Sequence, residues 1–227
     1  MKSAARAERE SPVAWAKEAE EGEASLDELK AAARTCRACD LWRDATQTVF
    51  GEGESAARIM LVGEQPGDRE DREGRPFVGP AGALLDRCLV AAGIDRREVY
   101  VTNAVKHFRW EERGKWRIHK KPRPDHVRAC RPWLIAEIAA LEPRVVVCLG
   151  ATAAQALLGR DFRVTQRRGE AIESPLAPCV VATVHPASLL RAPDDETRRA
   201  EIDRFIEDLR TVAKLARDQR KGGRRRG

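Results

Sequence analysis

Four short apolar runs constrain this chain more than any other feature: Arg58-Ile59-Met60-Leu61-Val62, Val99-Tyr100-Val101-Thr102, Arg144-Val145-Val146-Val147-Cys148-Leu149 and Val180-Val181-Ala182-Thr183-Val184. Each has the length of a buried strand, and helical patterns separate them. Strands that alternate with helices form a parallel sheet, so the chain belongs to the α/β class. At 227 residues it is long enough for one well-buried core. Residues 1–24, rich in Ala, Glu, Lys and Arg, read as a loosely ordered extension, 25–217 as the folded domain, and 218–227 as a basic tail. Ser25 followed by Glu28 has the form of a capping box, opening a helix whose stripe of Leu26, Leu29 and Ala33 runs toward Cys36. A last helix from about Asp195 to Ala216 presents one apolar face through Ile202, Phe205, Ile206, Leu209, Val212 and Ala213.

The first run leads into Gly63-Glu64-Gln65-Pro66-Gly67-Asp68, which continues past Asp71 to Pro76-Phe77-Val78-Gly79-Pro80-Ala81-Gly82. The segment leaves the carboxyl end of a strand, where open α/β sheets place their ligand crevices. It concentrates acids, an amide and an aromatic ring in one glycine-punctuated loop, ahead of a helix from Ala81 to Ala92. His185, directly after the fourth run, opens His185-Pro186-Ala187-Ser188-Leu189-Leu190-Arg191 at the same sheet edge and is expected to face this loop.

A formal charge of +6 and a pI near 9.2 suit an anionic partner such as nucleic acid. No apolar stretch approaches bilayer length, and the charged N-terminus lacks a signal-peptide core, so a cytoplasmic protein without a membrane partner is expected. Six cysteines in that compartment point to metal ligands or core residues. Cys36 and Cys39 form a C-x-x-C pair, and Cys130 is a candidate third thiolate; Cys88, Cys148 and Cys179 lie in apolar elements and read as core. His107, His119 and His126 fall between Lys106 and Arg131, a stretch with ten Lys or Arg against three acids. Trp110 and Trp116 in it can stack on bases or pack locally. Three Cys and one His suit zinc and an iron-sulfur cluster equally by ligand type.

Taken in order, Gly63-Glu64-Gln65-Pro66-Gly67 with Gly74-x-Pro76-Phe77-Val78-Gly79, Thr102-Asn103-Ala104-Val105-Lys106, Cys130-Arg131-Pro132-Trp133-Leu134 and His185-Pro186-Ala187 resemble family 4 uracil-DNA glycosylases over residues 30 to 215. The resemblance implies a three-layer α/β/α domain with a central four-stranded parallel sheet, a 4Fe-4S cluster and excision of uracil from DNA, by a monomer. Three departures resemble the UdgX branch: Gln65 in place of Ala, His107 in place of the third cluster cysteine, and an insertion holding Lys115-Trp116-Arg117-Ile118-His119-Lys120. That branch usually carries Lys-Arg-Arg-Ile-His, so Trp116 is a change within the loop. Its histidine becomes bonded to DNA.

The roles this resemblance implies are His119 as nucleophile, Glu64, Gln65 and His185 in catalysis, and Phe77 and Asn103 on the flipped base. Asp68, Asp71, Lys115, Arg117 and Arg191 would be further substrate-binding residues, and Cys36, Cys39, His107 and Cys130 the cluster ligands. Uracil in DNA, with single strands expected, would be cleaved once and the sugar captured at C1′. A glycosylase that turns over, and a non-catalytic Fe-S or zinc module that binds nucleic acid, are the two alternatives.

Overall fold

The computed structural model describes residues 11–218. In chain order the elements are α1 (Pro12–Glu20), α2 (Leu26–Ala33), β1 (Ile59–Gly63), α3 (Asp68–Glu73), α4 (Pro80–Ala91), β2 (Val99–Asn103), β3 (Trp110–Arg113), β4 (Trp116–His119), α5 (Pro124–Leu141), β5 (Val145–Leu149), α6 (Ala151–Leu158), α7 (Val164–Arg167), β6 (Ala171–Ser174), β7 (Ala177–Thr183), α8 (Pro186–Leu190) and α9 (Asp195–Asp218). The central sheet has the order β2-β1-β5-β7-β6. The first four strands of that order are parallel, in the register Ile59 to Val99 and to Val145, and Val145 to Cys179.

Strand alternation divides the core between two faces. Met60, Val62, Val146, Cys148, Val180 and Ala182 point toward α1, α2, α5 and α6. Ile59, Leu61, Val145, Val147, Cys179 and Val181 point toward α4, α8 and α9. This is the three-layer α/β/α arrangement the resemblance implies, with one addition: β6 pairs antiparallel to β7 and makes a fifth, edge strand. It is four residues long with only every second residue half-buried, too weak a pattern to stand out in sequence. Cys88, Cys148 and Cys179 are buried in these layers, as expected of core thiols.

The stretch read as a loosely ordered extension is ordered from Ser11 onward. Ser11 Oγ caps α1 by accepting from Ala14 N at 3.1 Å, and Ala16 and Ala19 are buried against α5. Small residues on that face, rather than large apolar ones, let the helix lie close, which is why its periodicity was faint. The Ser25 and Glu28 capping box starts α2 as its sequence indicates. Residues 1–10 and most of the basic tail, 219–227, lie outside the described residues, while Lys214 to Asp218 continue α9.

Between sheet and α5 sits a dry ion pair. Lys106 Nζ meets Glu137 Oε2, and both side chains are sealed from solvent. Glu137 Oε1 also accepts from Gly51 N at 3.1 Å, the Tyr100 hydroxyl at 3.0 Å and the Thr102 hydroxyl at 2.9 Å. Lys106 Nζ further donates to Thr102 Oγ1 at 2.7 Å and to the Asn103 carbonyl at 2.8 Å. Removing one member strands the other without water, which costs about 3–5 kcal/mol, whereas replacing both with apolar residues costs far less. Urea denaturation is therefore expected to show Lys106→Met destabilised by that amount, and Lys106→Met with Glu137→Met recovering only part of it, because Gly51 N and the Tyr100 and Thr102 hydroxyls lose their acceptor.

Candidate active site

The carboxyl ends of β1, β2, β5 and β7 border a cleft of about 980 Å³. Glu64, Gln65, Asp68, Phe77, Asn103, His119, His185 and Arg191 all line it, so residues far apart in sequence meet at the expected edge.

Phe77 is held there at a cost. Its φ of 57° is left-handed, a strained conformation for an aromatic residue, worth about 1–3 kcal/mol. Two glycines enforce the placement. A Cβ on Gly82 would collide with the Phe77 carbonyl, and one on Gly63 would stand 2.8 Å from Phe77 Cζ and overlap Asn103 Oδ1. Gly63 thus lets the ring and the amide approach each other at the cleft floor. Glu70 braces the loop that carries Phe77: its carboxylate accepts from Gly67 N at 3.2 Å and Gly79 N at 2.8 Å.

His185 follows β7 and caps α8, with Nδ1 accepting from Ala187 N at 3.1 Å. In the neutral ring that bond puts the proton on Nε2, leaving a donor free for a ligand. Burial, helped by Arg191 and His119, pushes its pKa down to about 4, so the ring is neutral at pH 7. It stacks on Phe77 with centroids 6.0 Å apart.

His119 arrives on the hairpin of β3 and β4. Its Nε2 lies 3.8 Å from Glu64 Oε1 and 3.0 Å from Gln65 Nε2. Gln65 also donates to the carbonyls of Arg109 at 3.1 Å and Lys120 at 3.0 Å, and its Oε1 accepts from Arg109 N at 3.2 Å. One amide therefore clasps both ends of the hairpin. It has two hydrogens for three acceptors, so both carbonyls can stay bonded while His119 Nε2 keeps its lone pair. Desolvation lowers the His119 pKa against the opposing pull of Glu64, so the lone pair is present at neutral pH. The other Glu64 oxygen accepts from Thr152 Oγ1. Thr152, at the start of α6, and Glu70 were both missed by sequence reasoning. Gly150-Ala151-Thr152 after the β5 run was the signal for the first, because it too leaves the carboxyl edge of the sheet.

Arg117, Asp68 and Asp71, expected at the substrate, are bonded to one another in this structure. Arg117 Nε binds Asp68 Oδ1 at 2.5 Å and Nη1 binds Asp71 Oδ2 at 2.7 Å, while its guanidinium lies over Phe108 and Trp110 at 5.5 and 5.4 Å. Asp71 is fully buried and also accepts from Thr46 N at 3.0 Å. These groups latch the hairpin to α3. Lys115 stands at the exposed hairpin turn, away from the cleft lining.

Cys36, Cys39 and Cys130 gather on the opposite side of the β2 edge, close enough for the first two to influence the third. Each sulfur faces an N–H donor: Trp133 Nε1 to Cys36 at 3.2 Å, Lys106 N to Cys130 at 3.2 Å, and the Leu41 amide to Cys39. Burial raises the free Cys130 thiol to about 12, a cost that metal coordination would remove. The His107 ring is joined at 3.0 Å to Thr48, which donates to Ala33 O at 2.9 Å, at the end of α2 that delivers Cys36. Burial lowers its pKa to about 4, and the neutral ring is the ligating form. Three thiols, each facing an N–H donor, and a neutral imidazole are a donor set that suits an iron-sulfur cluster or zinc. His126 instead closes the start of α5, its Nδ1 accepting from Arg123 N at 3.2 Å.

Among the described residues no helix is long and apolar enough to cross a membrane.

The family model described as the uracil DNA glycosylase superfamily matches residues 50–210. The chain is 39% identical to a type-4 uracil-DNA glycosylase of Thermotoga maritima over 75% of this chain and 85% of that one. It is 36% identical to the type-4 protein of Archaeoglobus fulgidus, over 74% and 85%, and 32% identical to a type-5 uracil-DNA glycosylase of Thermus thermophilus, over 74% and 80%.

The latch is open to test without substrate. Asp71→Ala should loosen the hairpin and speed tryptic cleavage after Arg113 and Lys115 by about tenfold, the effect of roughly 1.4 kcal/mol in local opening. An unchanged cleavage rate would remove Asp71 from that role.

Proposed function

Given that the chain belongs to the uracil-DNA glycosylase superfamily, we propose that it excises uracil from DNA and that His119 then bonds to the sugar in a single turnover. The observation that carries the second half is the position of His119 Nε2, beside Glu64 and Gln65 in the same cleft as Phe77, Asn103 and His185.

The target base must leave the stack to reach the cleft floor. Phe77 stacks on the flipped ring, and the Asn103 amide donates to O4 while accepting from N3–H, a pattern cytosine mismatches. As the C1′–N1 bond breaks, its electron pair moves onto uracil, and the His185 Nε2 proton meets the charge growing on O2. A neutral donor with a low pKa stabilises that charge without needing to be protonated first. The sugar becomes a cation beside Glu64, whose carboxylate is steadied by Thr152. His119 Nε2 then gives its lone pair to C1′, and the imidazolium so formed sheds its Nδ1 proton to solvent. A neutral N-linked imidazole is a poor leaving group, so the adduct persists.

The cluster, held by Cys36, Cys39, Cys130 and His107, would tie α2 to β2 and α5 and takes no part in these steps. Iron content and visible absorption of the purified protein test it, as does loss of both, with reduced thermal stability, in Cys130→Ala.

The decisive experiment mixes the protein with a uracil-containing single strand, then denatures and separates the products beside a thymine control. A uracil-dependent slow band is expected from the wild type. His119→Ala should instead release free uracil and leave an abasic strand, because flipping and charge stabilisation reside elsewhere. Free uracil from the wild type without a slow band would identify a glycosylase that turns over, and no uracil release at all would end the reading. In Glu64→Gln, adduct formation should slow by about 100-fold or more, the usual worth of one electrostatic group at a developing charge. The wild-type rate should stay level from mildly alkaline pH down to the ordinary imidazole value of 6.5 and fall only below it, since the lowered pKa keeps His119 unprotonated until then.

A further inference from the structure

The hairpin that carries His119 has a second face. Residues alternate sides along β4, so Arg117 and His119 turn inward to the latch and the cleft, while Trp116 and Ile118 turn out. Trp116 is 74% exposed and Ile118 38%. Scattered exposed apolar residues need no explanation, but an indole and an isoleucine on one side of a four-residue strand form a patch. The other indoles are engaged: Trp133 is buried, Trp15 packs on the core, Trp42 is covered by Arg37 and Arg43, and Trp110 donates to the Asp44 carbonyl at 2.9 Å beneath Arg117.

We infer that Trp116 is a stacking platform for an unpaired base of the same DNA strand, one to three nucleotides from the uracil. The inference rests on the uracil-DNA reading above and adds a second contact surface to it. Charge selects the occupant. Arg113, paired across the hairpin with Trp116, and Lys115 next to it in the turn make no ion pair among the described residues, while Glu111 on the same face is neutralised by Lys120, so the indole has two free cations beside it suited to a phosphate backbone. Two apolar side chains are far short of the roughly 1,000 Å² that a protein interface needs, which sets aside a second copy of the chain. Distance agrees: three residues of strand span about 10 Å, or about three stacked nucleotides at 3.4 Å each. A base in a duplex has both faces covered by its neighbours, so only an unpaired one can lie on the indole. Trp116 therefore favours single strands.

The test measures equilibrium binding of the full chain to a labelled single strand bearing one 2′-fluorinated deoxyuridine, whose fluorine slows glycosidic cleavage. Further strands place an abasic residue at each of the three positions on either side. Trp116→Ala should weaken binding to the intact strand by roughly 5-fold to 100-fold, the span of base-aromatic stacking. Trp116→Phe should retain most of the affinity. At one flanking position the abasic residue should weaken the wild type to the same extent while costing Trp116→Ala nothing further. Unchanged affinity in Trp116→Ala overturns the platform, and so does an equal loss on every strand in the series, which would mark a general disturbance of the hairpin. A wild type that binds the uracil and thymine strands alike would remove the uracil reading instead. The effect of Trp116→Ala on both strands would then still decide the platform.

Discussion

The ion pair of Lys106 and Glu137 joins parts of the molecule that otherwise have little in common. Through it the carboxyl end of β2, the segment at Gly51 and the middle of α5 share one network with no access to water. The same lysine residue extends its backbone N–H to Cys130 and its ammonium to the carbonyl of Asn103. The proposed cluster site and the backbone of Asn103, the residue proposed to read the base, are thus both held by one residue, from opposite ends. A hydrophobic pair of equal volume could fill that space, but it would not fix the direction of the Asn103 carbonyl.

In front of this frame, the cleft separates two tasks by the state of its imidazoles. Both rings have lowered pKa values, His185 through burial and the half-exposed His119 through partial desolvation, yet their environments make opposite use of the ring. The amide of Ala187 occupies one nitrogen of His185 and turns the other into a donor. At His119 the Gln65 amide holds the hairpin through backbone carbonyls and leaves the acceptor nitrogen available. A donor suits charge accumulating on a departing base, and an acceptor suits an electron-poor carbon.

Much of this was legible in the sequence because it depended on local pattern. The four parallel strands, the α2 cap and the last helix follow from periodicity; Glu64, Asn103 and His185 are found at strand ends, where position alone suggests a cleft, and Phe77 in the glycine-punctuated loop that follows the first. What was not legible required knowing who meets whom. Arg117 in a basic loop looks like a phosphate contact until Asp68 and Asp71, some 46 to 49 positions away, are seen to absorb it. Thr152 is an ordinary helix-start residue until Glu64 lies against it. The first helix escaped notice because its buried face consists of alanines, which carry little hydrophobic signal.

The β3 and β4 hairpin also limits how this insertion can change. Its side chains alternate with a period of two, and Gln65 and Arg117 pin its register. A change of residue type on the outer face leaves the inner face undisturbed. Deleting or inserting a single residue between the turn and His119 would exchange the faces, carrying Ile118 inward and the imidazole out to solvent. The loop is therefore free to drift in composition but not in length by odd steps, so related chains should vary here by substitution or by pairs of residues.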